Sequence, residues 1–246
     1  MIGCLRLIRH ELASACVVCE AVDPMRRPCS ANEVLQIARK ACIGSGLAVD
    51  RAEDLAEATA VLQCSGHDGL AQLLVLLEGH EAASAHLPAT VQIDLVLGGA
   101  GRSTDQLRVS HLRPHIEGVA VIDWLLANPQ TGTVFIEKTD DKMLLFGLLV
   151  CAIQRFGGVF ILQAAHKAEP VTIRDASQLK DGLPETEVWT LSYKSGQVAS
   201  SAVLYHHTDT DLSIWEALEA RANLTYVPAT ETSRQKGAGA GLVDND

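Results

Sequence analysis

The chain has 246 residues, of which 48% are hydrophobic and 20% are charged. This composition excludes a disordered chain, because it supplies enough apolar side chains for a sizeable core. The 30 acidic residues outnumber the 20 basic ones, giving a net charge of −10, which argues against nucleic-acid or anionic-membrane partners, since both need a basic face.

Residues 1–24 are predicted to be an extension of the fold or the product of a mis-assigned start codon, with Met25 as the alternative first residue. The apolar run Leu12–Cys19 is short for a secretory signal, and Glu11 directly precedes it. The segment contains a single CxxC pair, Cys16 and Cys19, without a second pair at zinc-ligand spacing. An odd total of seven cysteines is not typical of a secreted disulfide scaffold, so we expect a cytoplasmic protein.

Residues 30–80 are predicted to form three helices joined by short turns. Ser30 and Glu33 have the spacing of a capping box at the start of the first helix. The second helix is expected to begin at Asp50, and the third to span residues 70–79. Apolar residues recur at helical spacing through all three segments.

After Pro88 the pattern changes to alternating strands and helices. Strands are predicted at 91–97, 107–112, 133–137, 159–162, 187–194 and 197–205, and helices at 119–127, 141–155 and 213–223. We therefore expect an α+β fold, with an N-terminal three-helix unit followed by a mixed β-sheet with covering helices. The expected domains are a helical unit at 25–88 and an α+β domain at 89–246, or one domain spanning 25–246.

His67 and Asp68 lie in a glycine-flanked turn after the second helix. A histidine beside a carboxylate is a candidate general acid or base. The alternative is a solvated turn in which Asp68 caps the next helix.

Four basic or imidazole side chains form a candidate ligand-binding cluster around Pro114. They are Arg108, His111, Arg113 and His115. Guanidinium and imidazolium groups bind anions well, although a solvated edge strand explains the same pattern.

The run from residue 206 to residue 211 is the densest metal-capable segment. It contains His206, His207, Asp209 and Asp211. On a strand the two histidines would point to opposite faces, so one metal ion could take only one of them. Either aspartate is also a natural cap for the helix that follows.

The C-terminal tail combines cationic side chains with small residues. Arg234, Lys236, Gly237, Gly239 and Gly241 could present charge and backbone N–H groups to an anion. An aromatic residue and a proline just before them indicate an ordered tail, whereas a free terminus is the alternative.

Two blocks of the sequence resemble a bacterial family of uncharacterised proteins, domain of unknown function 3726. They are Ser30–Ala58 (SANEVLQIARKACIGSGLAVDRAEDLAEA) and Tyr226–Asp246 (YVPATETSRQKGAGAGLVDND). The resemblance spans residues 25–246 and implies no activity. The helices around Gly66-His67-Asp68-Gly69 are also similar to the N-terminal part of type-2 malate/lactate dehydrogenases, whose second histidine at this place is absent here.

The first functional hypothesis is a cytoplasmic bacterial protein that binds or acts on a small ligand, anions included. The alternative is an oligomeric interaction or assembly protein without catalysis. A third, implied by the dehydrogenase resemblance alone, is a nicotinamide-dependent 2-hydroxy-acid dehydrogenase-like enzyme. The residues themselves indicate no cofactor and no reaction. We expect neither a nucleic-acid nor a membrane partner, and we keep a homo-oligomer open.

Overall fold

Six α-helices and two β-sheets make up the part of the chain that the computed structural model describes, namely residues 25–84, 93–96, 106–164, 169–181, 188–197 and 208–225. The helices are α1 (Ala31–Gly44), α2 (Val49–Cys64), α3 (Gly69–Ser84), α4 (Val119–Ala127), α5 (Lys142–Phe156) and α6 (Leu212–Asn223). The strands are β1 (Arg26–Cys29), β2 (Ile93–Val96), β3 (Gln106–Val109), β4 (Thr133–Ile136), β5 (Val159–Ala164), β6 (Val171–Ile173), β7 (Trp189–Lys194) and β8 (Thr208–Asp211). A π-helical turn (Pro114–Gly118) precedes α4, and a 3-10 turn (Ala176–Asp181) follows β6.

The three N-terminal helices form as predicted. Ser30 Oγ accepts a hydrogen bond from the Glu33 N–H, and the Glu33 carboxylate accepts one from the Ser30 N–H at 2.8 Å, which is the reciprocal pattern of a capping box. By contrast, α2 begins at Val49 without a side-chain cap. α3 continues past the expected end at residue 79 to Ser84, because a single glycine does not stop a helix whose apolar face stays buried.

The main sheet has six strands in the order β2-β3-β4-β7-β5-β6. Only β3 and β4 run parallel, and the other neighbours are antiparallel. β5 pairs on both sides, as expected of an interior strand, and buries Phe160 and Leu162. This mixed sheet after a helical unit confirms the α+β class. β7 pairs with β4 on one side and β5 on the other. The strand predicted at 197–205 lies outside the described residues apart from residue 197, as do residues 1–24.

A small second sheet connects the two ends of the described chain. β1 pairs antiparallel with β8, and the buried side chain of Gln63 bonds to this sheet. Its Nε2 donates to the Asp209 carbonyl at 2.9 Å, while its Oε1 accepts from the Leu70 N–H at 3.0 Å. α1 also packs on α6, whose Trp215 is buried. The division into domains stays a prediction.

α5 packs between the helical unit and the sheet, and it approaches α2 backbone to backbone. A Cβ atom at Gly147 would lie 2.9 Å from the Ala58 carbonyl oxygen and 3.1 Å from the Ala58 Cβ. Almost every residue in the middle of α5 is buried. No helix among the described residues is both long enough and apolar enough to cross a membrane.

The close approach gives a test of the fold. Gly147→Ala should destabilise the protein by about 1–3 kcal/mol, because the added methyl group overpacks the α2–α5 contact. Gly79→Ala is the matched control: its Cβ meets nothing within 4 Å, so the gain in helix propensity should stabilise by up to ~1 kcal/mol. Urea denaturation measures both, and equal effects of the two substitutions would contradict the packing.

Candidate functional site: a histidine pair beyond the parallel strands

The candidate site lies where the chain leaves the two parallel strands. After β3 and β4 the chain segments stay side by side: the Leu112 N–H donates to the Lys138 carbonyl at 2.8 Å, and the Asp140 N–H donates to the Leu112 carbonyl at 3.2 Å. One segment then enters the π-helical turn that contains His115, and the other begins α5 at the capping residue Asp141. Ligands of sheet proteins often bind at the carboxyl ends of parallel strands.

His115 packs against His80, which comes from the C-terminal part of α3. The ring centroids are 5.2 Å apart, and the planes meet at 84°. His115 is only 7% exposed and His80 is half-buried. The Nδ1 atom of each ring is buried and has no hydrogen-bond partner among the described residues. Buried polar atoms normally have partners, and these two belong to rings that contact each other.

Burial and neighbouring positive charge keep both rings neutral. Burial lowers the pKa of His115 to about 4, and His80, Arg113 and Arg51 lower it as well, whereas Asp140 raises it. Burial also lowers the pKa of His80; Glu81 opposes this, and Arg113 and Arg51 reinforce it. At neutral pH each ring therefore offers one N–H donor and one lone pair.

The predicted basic cluster is only partly brought together. His115 faces the site, but Arg113 forms a buried ion pair with Glu117 across one turn, and that pair holds the π-helical turn. His111 contacts Asp140. Arg108 is exposed and covers the face of the Phe135 ring, so it sits on the sheet instead of beside His115.

Sequence reasoning missed His80 and Arg51. His80 follows Leu73 by seven residues and Leu76 by four, and both leucines are buried. That helical spacing places His80 on the buried face of α3. The sequence carries this signal only if the helix continues past Gly79, as α3 does. Arg51, in the first turn of α2, carried no local signal.

His67 and Asp68 lie at the opposite end of α3 from His80. The Asp68 carbonyl accepts the Gln72 N–H, so Asp68 occupies the cap position expected of it. The hydrogen bond from Arg26 to Asp209 is the main cause of the raised pKa of Arg26, and the charges of Asp209, Asp68 and Asp211 add to it. Their roles as acid and base stay a prediction.

The aspartates of the predicted metal run have structural partners. Asp209 pairs with Arg26 at 2.6 Å, and Asp211 caps α6 by accepting from the Ser213 N–H at 2.8 Å. Within the described residues no three His, Cys, Asp or Glu side chains are grouped to hold a metal ion. His206 and His207 lie outside those residues, and so does the tail with Arg234, Lys236, Gly237, Gly239 and Gly241.

The family comparison covers the histidine pair. Residues 29–121 match the model of a family described as "Protein of unknown function (DUF3726)". Over this stretch the chain resembles that family. The match confirms the predicted resemblance there, and it includes Arg51, His80 and His115. The Tyr226–Asp246 block lies outside it.

Two malate dehydrogenases are among the solved structures to which the chain is similar, each with a TM-score of 0.41. For the enzyme from Pyrococcus horikoshii OT3 the identity is 12%, and the similarity covers 57% of this chain and 40% of that one. For the enzyme from Entamoeba histolytica the identity is 9%, with coverage of 80% and 69%. The chain thus spans less than half of the first enzyme. No curated protein matches the chain.

The depressed pKa of His115 predicts a pH dependence of stability. The unfolded chain binds a proton near pH 6.5 that the folded protein excludes down to about pH 4, so stability falls as the pH drops through that interval. Between about pH 7 and pH 4 the loss assigned to His115 should reach roughly 3 kcal/mol. In His115→Gln, the free energy of unfolding measured by denaturant titration should fall by that much less between the two pH values. Parallel curves for the two proteins would contradict the assignment.

Proposed function

We propose that the protein binds a small anionic molecule, most simply a carboxylate, between His80 and His115. The observation that supports this is a pair of buried Nδ1 atoms that have no hydrogen-bond partner among the described residues, on rings 5.2 Å apart. With the proton on Nδ1, each neutral ring donates one hydrogen bond. A single carboxylate has two acceptor oxygens and would satisfy both donors.

Local charge favours an anion over a metal cation. Arg113 is neutralised by Glu117, and the acidic neighbours Glu81 and Asp140 contact Arg221 and His111. Arg51 is exposed and makes no ion pair with any described residue. It lies in the first turn of α2, where the helix dipole adds positive potential. This potential attracts carboxylates and opposes a divalent cation, although two imidazoles alone would suit one.

The proposal includes a cytoplasmic location. The cysteines of the described part of the chain, which are Cys29, Cys42, Cys64 and Cys151, are all free. Free thiols persist in reducing compartments. The net charge of −10 does not conflict with an anionic ligand, because the local field of Arg51 acts at shorter range than the overall charge.

A ligand panel tests the proposal. Acetate, succinate and inorganic phosphate should raise the melting temperature, since a ligand present at ~100 Kd adds about 2.7 kcal/mol of stability. Uncharged acetamide should have no effect. Stabilisation by Zn²⁺ instead of the anions, or an unchanged melting temperature at every anion concentration up to ~10 mM, would contradict the proposal.

Paired variants locate the binding. Arg51→Gln should weaken binding of the stabilising anion by about tenfold, which is ~1.4 kcal/mol. Arg108→Gln removes an equally exposed arginine that lies on the sheet, so it should leave binding unchanged. Equal losses in the two variants, measured by calorimetric titration at constant ionic strength, would show diffuse charge attraction and contradict a site at His80 and His115.

A further inference from the structure

A concave site lies among the helices and shares no residue with the histidine pair. A cleft of about 750 Å³ opens between α1, α2 and α5, which is within the usual size range of small-molecule sites. One part of its wall is apolar and is formed by Leu35, Ala60 and Val61. The polar part includes Asn32, Glu57 and Arg155.

The ion-pair group at the polar wall carries a net charge, because Asp54, which lies outside the cleft lining, shares Arg155 with Glu57. Arg155 pairs with Glu57 at 2.5 Å and also with Asp54 at 3.5 Å. Two carboxylates therefore share one guanidinium, which leaves a formal charge of −1. Glu57 is 44% exposed and Arg155 is 49% exposed, and ion pairs as open as this contribute only about 0–1 kcal/mol.

We propose that this cleft binds a small amphipathic amine. Its apolar body would pack on Leu35, Ala60 and Val61, and its ammonium group would bind the Glu57 carboxylate. Arg155 can release Glu57 at little cost because Asp54 remains as its partner. The net charge of −10 raises the concentration of cations near the surface. An anion would instead have to compete with both carboxylates for Arg155.

Three probes of similar shape distinguish charge from apolar packing. They are 2-phenylethylamine, the neutral 2-phenylethanol and the anionic 3-phenylpropionate, titrated into the full chain and followed by protein NMR shifts. We expect the amine to bind with a Kd of order 1 mM or tighter, the alcohol more weakly and the acid most weakly. Equal affinity for all three, or preference for the acid, would overturn the proposal.

Two glutamates of α2 provide a matched pair of variants. Glu57→Gln should lower the affinity for the amine by about tenfold and leave the alcohol unaffected. Glu53→Gln removes a glutamate of similar exposure that pairs with Arg39 at 2.7 Å and does not line the cleft, so both affinities should stay as in the parent. The proposal fails if Glu53→Gln has the larger effect.

A third variant fills the cleft. Ala31 lines its mouth at the first position of α1 and is half-buried, so Ala31→Trp should fold and abolish binding of both amine and alcohol. Unchanged binding in a variant with parental melting temperature would place the amine elsewhere. The proposed carboxylate site is separate from the cleft. Acetate, succinate and phosphate should therefore shift the melting temperature of Ala31→Trp as they shift that of the parent, whatever the result with the amine.

Discussion

The contact between α2 and α5 is the constraint on which the rest of the structure depends. Gly147 lets the backbone of α5 approach the Ala58 carbonyl closely. A Cβ atom at this position would lie only 2.9 Å from the Ala58 carbonyl oxygen. The contact brings the sheet-covering helix directly onto the helical unit. It also sets the width of the cleft, since Ala60 on one helix and Arg155 on the other line the same space. A change in this spacing would therefore alter both the core and the cleft.

The sixteen residues of α2 connect the histidine pair, the cleft and the second sheet. Arg51 at its N-terminal end lies near the histidine pair, Glu57 faces the cleft, and Gln63 at its C-terminal end bonds to the second sheet. Its two charged contributions have opposite signs and lie more than one turn apart. In the two proposals, one helix would support two sites that select ligands of opposite charge, with salt screening each field over roughly 8–10 Å.

Features decided by neighbours in the sequence were predictable. The capping box of Ser30 and Glu33 and the cap by Asp211 each depend on residues two or three positions apart, and such patterns appear in the sequence itself. The pairing of β1 with β8 joins residues more than 175 positions apart. Nothing in either short strand specifies its partner. The π-helical turn was also missed, because it depends on the buried pair of Arg113 and Glu117 and not on helical periodicity.

The candidate site was half predictable for the same reason. His115 stood out beside Pro114 in a basic run, but its role depends on His80, which lies 35 positions earlier and reaches it only through the packing of α3. Gln63 and the two histidines differ in how their buried polar atoms are hydrogen-bonded. The buried Gln63 amide is satisfied by its bonds to Asp209 and Leu70, whereas the two Nδ1 atoms have no partner in the described part of the chain, which costs about 1–3 kcal/mol each. In the proposal, an anion bound between the two rings, near Arg51, would offset that penalty.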